Sequence, residues 1–137
     1  MSVQRMSELY KARSAFQRQR IALGNILESM EKSDTPDSLS VSLIRNAMED
    51  MMAREKRAEE YLIEVAEELE IFHAFCEVHG AGPVRAACII AQVYIRQADT
   101  VSSLWRYAGY GVRDDGTRDR PIKGERIVYR KQLKKEC

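Results

Sequence analysis

The segment Phe75–Ile90 reads FCEVHGAGPVRAACII. Apolar residues at Phe75, Val78 and Ala81 alternate with glycines at Gly80 and Gly82, and Ala86 and Ile89 follow at helical spacing. This is the pattern of two short helices joined by a glycine hairpin, a helix-hairpin-helix. Glycines let the chain turn sharply and bring its backbone close to a ligand, because no Cβ intervenes. Pro83 sits at the one helical position where a missing N–H costs nothing. The free N–H groups that open the following helix point at an anion, and the helix dipole adds to the attraction. Ala86 is small enough for the two helices to cross closely. The pattern therefore predicts a phosphate grip made by Gly80, Ala81, Gly82, Pro83, Val84 and Arg85, with Arg96 adding charge to the same face. Such a grip positions a nucleic-acid backbone and reads no bases. The same residues also suit a plain corner between helices, with Gly80 as a C-cap and Gly82 as a turn residue.

Upstream, Ile44, Met48, Met51, Glu55, Ala58, Leu62, Val65, Leu69, Phe72 and Cys76 alternate steps of four and three. That is a heptad seam with one interruption, Glu55. It predicts one helix from Ser38 or Ser40 to Val78, about 60 Å long at 1.5 Å per residue. Before it, EKSDTPDSLS (31–40) stops a helix at Pro36 and supplies cap formers. The first helix is expected over Val3–Met30, with Leu9, Ala12, Phe16, Leu23, Ile26 and Met30 as its apolar face and Gln19 as the polar break. Two helices with a short linker suggest an antiparallel hairpin. The first helix is the shorter, which leaves part of the second seam uncovered. Two readings stay open there: the hairpin packs within one chain, or the seam pairs with a second chain through Ile44, Met48, Met51, Ala58, Leu62 and Val65.

Downstream, a third helix is expected from Pro83 to about Gln97, a cap at Asp99–Ser102, and a short helix from Ser102 to Ala108. Gly109, Gly111 and Gly116 loosen the chain, the run Val112–Gly124 is polar and irregular, and a last helix starts near Arg126. The fold class expected is all-α: a coiled-coil hairpin arm over residues 1–78, then a helix-hairpin-helix module over 79–137.

The net charge of +1 conceals a strong asymmetry. Residues 1–25 hold five basic residues and one acid, residues 26–79 hold five basic and fourteen acidic, and residues 80–137 hold twelve basic and six acidic. A polyanion belongs at the basic end. Arg106, Arg118, Arg120, Lys123, Arg126, Arg130 and Lys131 join the hairpin there as candidate contacts. The acidic middle is excluded as a nucleic-acid surface. The longest uncharged apolar run, Ala86–Ile95, is too short for a bilayer span, which takes about 20 residues. The N-terminus lacks the apolar core of a signal peptide. Three scattered cysteines argue against a disulfide framework, and the expected compartment is the reducing cytoplasm.

VHGAGPVRAACIIAQV followed by DTVSSLWRYAGYGV resembles the C-terminal domain of the bridge-RNA-guided insertion-sequence transposases, the IS-one-ten family. Asp99, Ser102, Ser103, Leu104, Tyr107, Ala108 and Gly109 stand where that family has an Asp, a Ser-rich cap and a leucine-aromatic-Ala-Gly segment. GERIVYRKQLK (124–134) is similar to the basic segment that follows, and the long helix is similar to the coiled coil that precedes the domain. The resemblance covers about residues 60–137. It implies binding of DNA, or of a DNA–RNA hybrid, in a transposition or recombination setting. Members carry an acidic RuvC-like domain ahead of the coiled coil, and this chain has no segment of that length there. They place a nucleophilic serine after the Ala-Gly segment, where this chain reads Asp114-Asp115-Gly116-Thr117, and an aspartate cannot supply the alkoxide. Strand exchange by this chain alone is not implied. Members also continue past the point where this chain reads LKKEC, which implies a piece of a longer protein.

Other chemistry is thinner. His73, Cys76 and His79 drift around a helix, Glu70 and His73 form one carboxylate–imidazole pair, and Asp114, Asp115 and Asp119 suit a solvated turn, so neither metal nor cofactor is expected. Trp105, Tyr107 and Tyr110 suit the core of a small module better than base stacking. The functional expectation is DNA binding by a homodimer, without membrane association. The alternatives are a coiled-coil interaction scaffold whose hairpin caps the fold, and a recombinase that borrows its missing parts from another chain.

Overall fold

The computed structural model describes residues 2–93, and beyond them 100, 102, 103, 106, 108–113, 115–118, 120, 121, 123, 124, 126 and 133, with side chains from residue 4 onward. Four helices are delimited among the described residues: α1 (Ser2–Glu31), α2 (Ser38–Ala66), α3 (Glu70–Cys76) and α4 (Pro83–Gln92). Among the described residues there is no strand, only an isolated bridge between Val112 and Arg118. The protein is all-α. The chain divides into two compact units, Met1–Ala87 and Cys88–Cys137, with the division inside α4.

In the first unit α1 and α2 pack against each other as an antiparallel pair. The linker acts as its composition predicts. Asp37 takes an extended backbone and its carboxylate accepts a bond from the Ser40 N–H at 3.1 Å and another from the Ser40 hydroxyl. These bonds hold the Asp37 carboxyl below its usual range. The seam of α2 faces α1 of the same chain. Ala58, Leu62 and Val65 are buried, and Ile44, Met48 and Met51 are half-buried. Gly24 of α1 lies against Met48: a Cβ at residue 24 would stand 3.7 Å from its sulfur, in ordinary contact. Burial of Met6, Tyr10, Leu62, Val65 and Phe72 stabilises the unit by roughly 1.5–3 kcal/mol per side chain.

Three expectations are corrected here. The second helix does not run to Val78. It ends at Ala66, and Leu69, with φ −107° and ψ 124°, separates it from α3. Neither glycine nor proline stands at the break. Glu60, Glu64, Glu67 and Glu68 stand three and four residues apart, and like charges at those spacings disfavour a continuous helix. Breaking the helix puts Glu70 into the first turn of a new one, where a carboxylate is favourable. His73 then bonds the freed Glu67 carbonyl at 3.0 Å. Cys76, at the end of the expected seam, is exposed.

Next, α1 is not the shorter helix, for it has 30 residues against 29 in α2. Finally, α1 does not turn its apolar row to α2. The buried stripe is Met6, Tyr10, Arg13 and Leu27, while Leu9, Ala12, Phe16, Leu23 and Met30 are half-buried and Ile26 is 47% exposed. Arginine is drawn to the contact by Glu55, the interruption in the α2 seam. Arg20 Nε lies 2.6 Å from a Glu55 oxygen, Arg13 lies 3.9 Å from the other, and Arg13 Nε bonds Glu59 at 2.9 Å. The bond to Glu55 raises the Arg20 pKa above its ordinary value.

In the second unit Cys88, Ile90, Ala91, Gln92, Ala108 and Leu133 are buried. The helix from Pro83 ends at Gln92 rather than Gln97; residues 94–97 lie outside the described residues. Thr100 caps a helical turn, its hydroxyl accepting from the Ser103 N–H at 3.2 Å, and Ser102, Ser103 and Arg106 are helical. The start of the expected last helix near Arg126 is undescribed apart from Arg126 itself, which is not helical, and Leu133, which is.

Candidate nucleic-acid interface

The glycine hairpin is built stepwise. α3 ends at Cys76, and the N–H of Val78 donates to the Phe75 carbonyl at 3.1 Å. The Ala81 N–H donates to Val78 at 3.0 Å, closing a turn in which Gly80 has φ +84°. An L side chain rarely takes that conformation, so glycine is required at this position. Gly82 differs: its φ is ordinary, and a Cβ there would meet nothing within 4 Å. Its small size is not demanded by the chain itself. It leaves open space at the residue that directly precedes α4.

α4 starts at Pro83, and its first internal bond runs from the Ala86 N–H to the Gly82 carbonyl at 3.0 Å. The N–H groups of Val84 and Arg85 precede that bond in the first turn, where a helix leaves its donors without partners. The Arg85 guanidinium folds back and donates to the Gly80 carbonyl at 3.3 Å. A fixed positive charge thus sits over the turn. Gly80, Gly82, Pro83 and Arg85 are exposed, and Ala81 and Val84 are half-buried. Ala86 is fully buried, which fits its place at a close packing point. Val78 is 57% exposed, against its expected place as an apolar anchor of the hairpin. The turn bonds hold Val78 through its backbone, and its side chain faces solvent.

The second unit carries the remaining basic candidates. Arg106, Arg118, Arg120, Lys123 and Arg126 are all exposed. Arg96, Arg130 and Lys131 lie outside the described residues, as do Trp105 and Tyr107. Arg118 stands on a small ordered turn within the polar run Val112–Gly124. The Arg113 N–H donates to Thr117 at 2.8 Å, the Gly116 N–H donates to Arg113 at 2.8 Å, and Gly116 has φ +79°. Asp115 accepts from the Thr117 N–H at 2.9 Å and its hydroxyl at 2.6 Å, which lowers the Asp115 pKa. Asp115 therefore pins the turn that presents Arg118, a role the spacing Asp115-Gly116-Thr117 signals as an Asx-type turn. Arg113 reaches across to the Arg120 carbonyl at 3.0 Å.

His73, Cys76 and His79 do not converge, and among the described residues no group of three or more His, Cys, Asp or Glu could hold a metal ion. No helix among those residues is long and apolar enough to cross a membrane. The chain matches no protein-family model, no curated protein and no solved structure.

Proposed function

We propose that this chain binds duplex DNA, or a DNA–RNA hybrid, by its phosphates in a transposition or recombination setting. The observation that carries the reading is the open space at Gly82. Gly82 directly precedes α4, its φ is ordinary, no protein atom would meet a Cβ there, and Arg85 of the first turn is tethered to the Gly80 carbonyl. A phosphate fills such a space by accepting backbone N–H bonds, helped by the dipole of α4. Arg85 supplies charge at the hairpin, and the second unit carries exposed arginines and a lysine of its own. A grip of this kind holds the phosphate backbone and reads no base edges, so the binding is independent of sequence. Catalysis by this chain alone is not part of the proposal.

Fluorescence anisotropy with two duplexes of unrelated sequence tests it. The two affinities should agree within about threefold and fall steeply with salt, with a log–log slope of about −0.9 per phosphate contacted. Absence of binding at low salt, or a strong preference for one sequence, removes the reading. The alternative, an interaction scaffold built on the helical hairpin, is favoured by one observation: the apolar row of α1 is only half-covered.

A further inference from the structure

The turn that presents Arg118 is a β-ribbon in miniature. Val112 bridges Arg118 in the antiparallel sense, and the Arg113 N–H donates to the Thr117 carbonyl at 2.8 Å. The Gly116 N–H donates to the Arg113 carbonyl at 2.8 Å, and Gly116 has φ +79°. Residues 114–116 join the two arms, and glycine takes the left-handed place that such a three-residue loop needs. Asp115 spends its carboxylate on the Thr117 N–H at 2.9 Å and the Thr117 hydroxyl at 2.6 Å. The Arg113 side chain reaches along the ribbon to the Arg120 carbonyl at 3.0 Å. Bonds at the tip and further back thus hold the two arms together.

The Arg113–Thr117 bond makes Val112 and Arg118 a pair that exchanges no backbone bonds of its own. That is the closer of the two antiparallel pairings, and it sets their side chains next to each other on one face. Tyr110 stands two residues before Val112, and Arg120 two residues after Arg118. Both fall on the same face in the period-two register. Val112 is 62% exposed, Tyr110 is 43% exposed, and the two arginines are exposed. The sequence suits Tyr110 to the core of the unit, and the structure leaves much of its ring in solvent. Among the described residues neither the Arg118 nor the Arg120 side chain is in an ion pair. A branched apolar side chain and a ring laid open beside arginines do little for the ribbon itself, because such groups stabilise by being buried.

We propose that this face binds unpaired nucleotides of DNA, with bases against Tyr110 and Val112 and phosphates on Arg118 and Arg120. The inference rests on the reading that the chain binds nucleic acid, and it adds a contact of different chemistry from the glycine hairpin. Aromatic rings stack on any base, and a guanidinium both stacks on planar groups and pairs with phosphate. A fully paired duplex keeps its base faces inside the stack and offers the ribbon phosphates alone. An unpaired stretch offers both. An anion without a planar face would engage the arginines and leave the ring and the valine bare. From Tyr110 to Val112 the extended chain spans about 7 Å, room for two stacked bases at about 3.4 Å each.

Fluorescence anisotropy on the full chain tests the proposal, with a fully paired duplex and the same duplex carrying a short central run of unpaired thymines. The parent should prefer the unpaired probe by about tenfold. Tyr110→Leu should abolish that preference by a factor that does not change with salt, and its unaltered affinity for the paired duplex shows that it is folded. Tyr110→Trp should keep the preference, since the ring is what matters. Arg120→Gln should weaken binding of the unpaired probe and make its salt dependence shallower. A 2-aminopurine placed in the unpaired run should lose fluorescence on binding the parent and keep it with Tyr110→Leu. A parent that binds both probes equally overturns this inference and leaves the phosphate grip at Gly82 standing. A preference that survives Tyr110→Leu overturns it as well. So does a Tyr110→Leu protein that loses both probes equally, which marks a tyrosine of the core. A parent that binds the unpaired probe and ignores the paired one upholds the ribbon site and removes the duplex reading of the glycine hairpin. Binding of neither probe overturns both.

Discussion

Replacing Glu55 by leucine would complete the apolar heptad of α2, and a sequence argument expects the hairpin to gain stability. The structure predicts the reverse. Glu55 is 10% exposed at its side chain and takes Arg20 at 2.6 Å and Arg13 at 3.9 Å. Removing one member of a buried ion cluster costs about 3–5 kcal/mol when the remaining charge is stranded. Two features reduce that here. Arg20 is 32% exposed and can turn to solvent, and Arg13 keeps Glu59 at 2.9 Å. The net expectation is a loss of about 2 kcal/mol. For a unit the size of Met1–Ala87, that lowers the melting temperature by about 10 °C. Thermal unfolding followed by circular dichroism, with guanidinium titration as a second measure, reads the effect. The triple variant Arg13→Met, Arg20→Leu, Glu55→Leu should recover most of the loss, since replacing a whole buried cluster by apolar groups is often neutral or stabilising. A Glu55→Leu protein that melts at or above the parent temperature would refute the reasoning, and the arginine stripe of α1 would then be incidental.

Two further predictions concern the same hairpin. Leu62→Ala, at a fully buried position, should cost about 2–5 kcal/mol in chemical unfolding, whereas Leu43→Ala, at a side chain 69% exposed, should cost far less. Asp37→Ala should lower the melting temperature by a few degrees through loss of the cap on α2. Its pH dependence has a definite sign. The folded pKa of Asp37 is lowered, so its stabilisation is complete above the unfolded value near 3.8 and is lost as pH falls through the folded one. The parent and Asp37→Ala should therefore converge in stability on acidification below about pH 4, and a gap that stays constant to low pH would contradict the cap.

What could be read from the chain, and what could not, follows from where the forces act. The stop at Pro36, the cap at Asp37, the seam of α2 and the turn at Gly80 are local or periodic, so residue type alone reveals them. The buried stripe of α1 was hidden because its partners are forty residues away: Arg13 and Arg20 look like surface residues until Glu55 and Glu59 stand opposite. The apolar row Leu9–Met30 is the stronger periodic signal, yet it is not the face that α1 buries. The break after Ala66 carried a signal in the crowded glutamates, but a heptad that runs straight through Leu69 and Phe72 outweighed it. At the candidate site, the conformation of Gly80 was legible. The exposure of Val78 was not, because it depends on which carbonyls the turn leaves for its backbone. The Asp115 turn was legible in composition but not in its bridge between Val112 and Arg118.

The central claim is that Gly82 leaves room for a phosphate. Gly82→Val tests it cleanly, since a Cβ there meets no atom of the protein and the backbone needs no left-handed conformation. The decisive measurement is duplex affinity of Gly82→Val and parent across a salt series, with circular dichroism run on the same samples. The account predicts unchanged helicity, affinity reduced more than tenfold at low salt, and a shallower salt slope from the lost contact. A folded Gly82→Val protein that binds duplex as tightly as the parent at every salt concentration would contradict it, and the hairpin would be a corner between helices and nothing more.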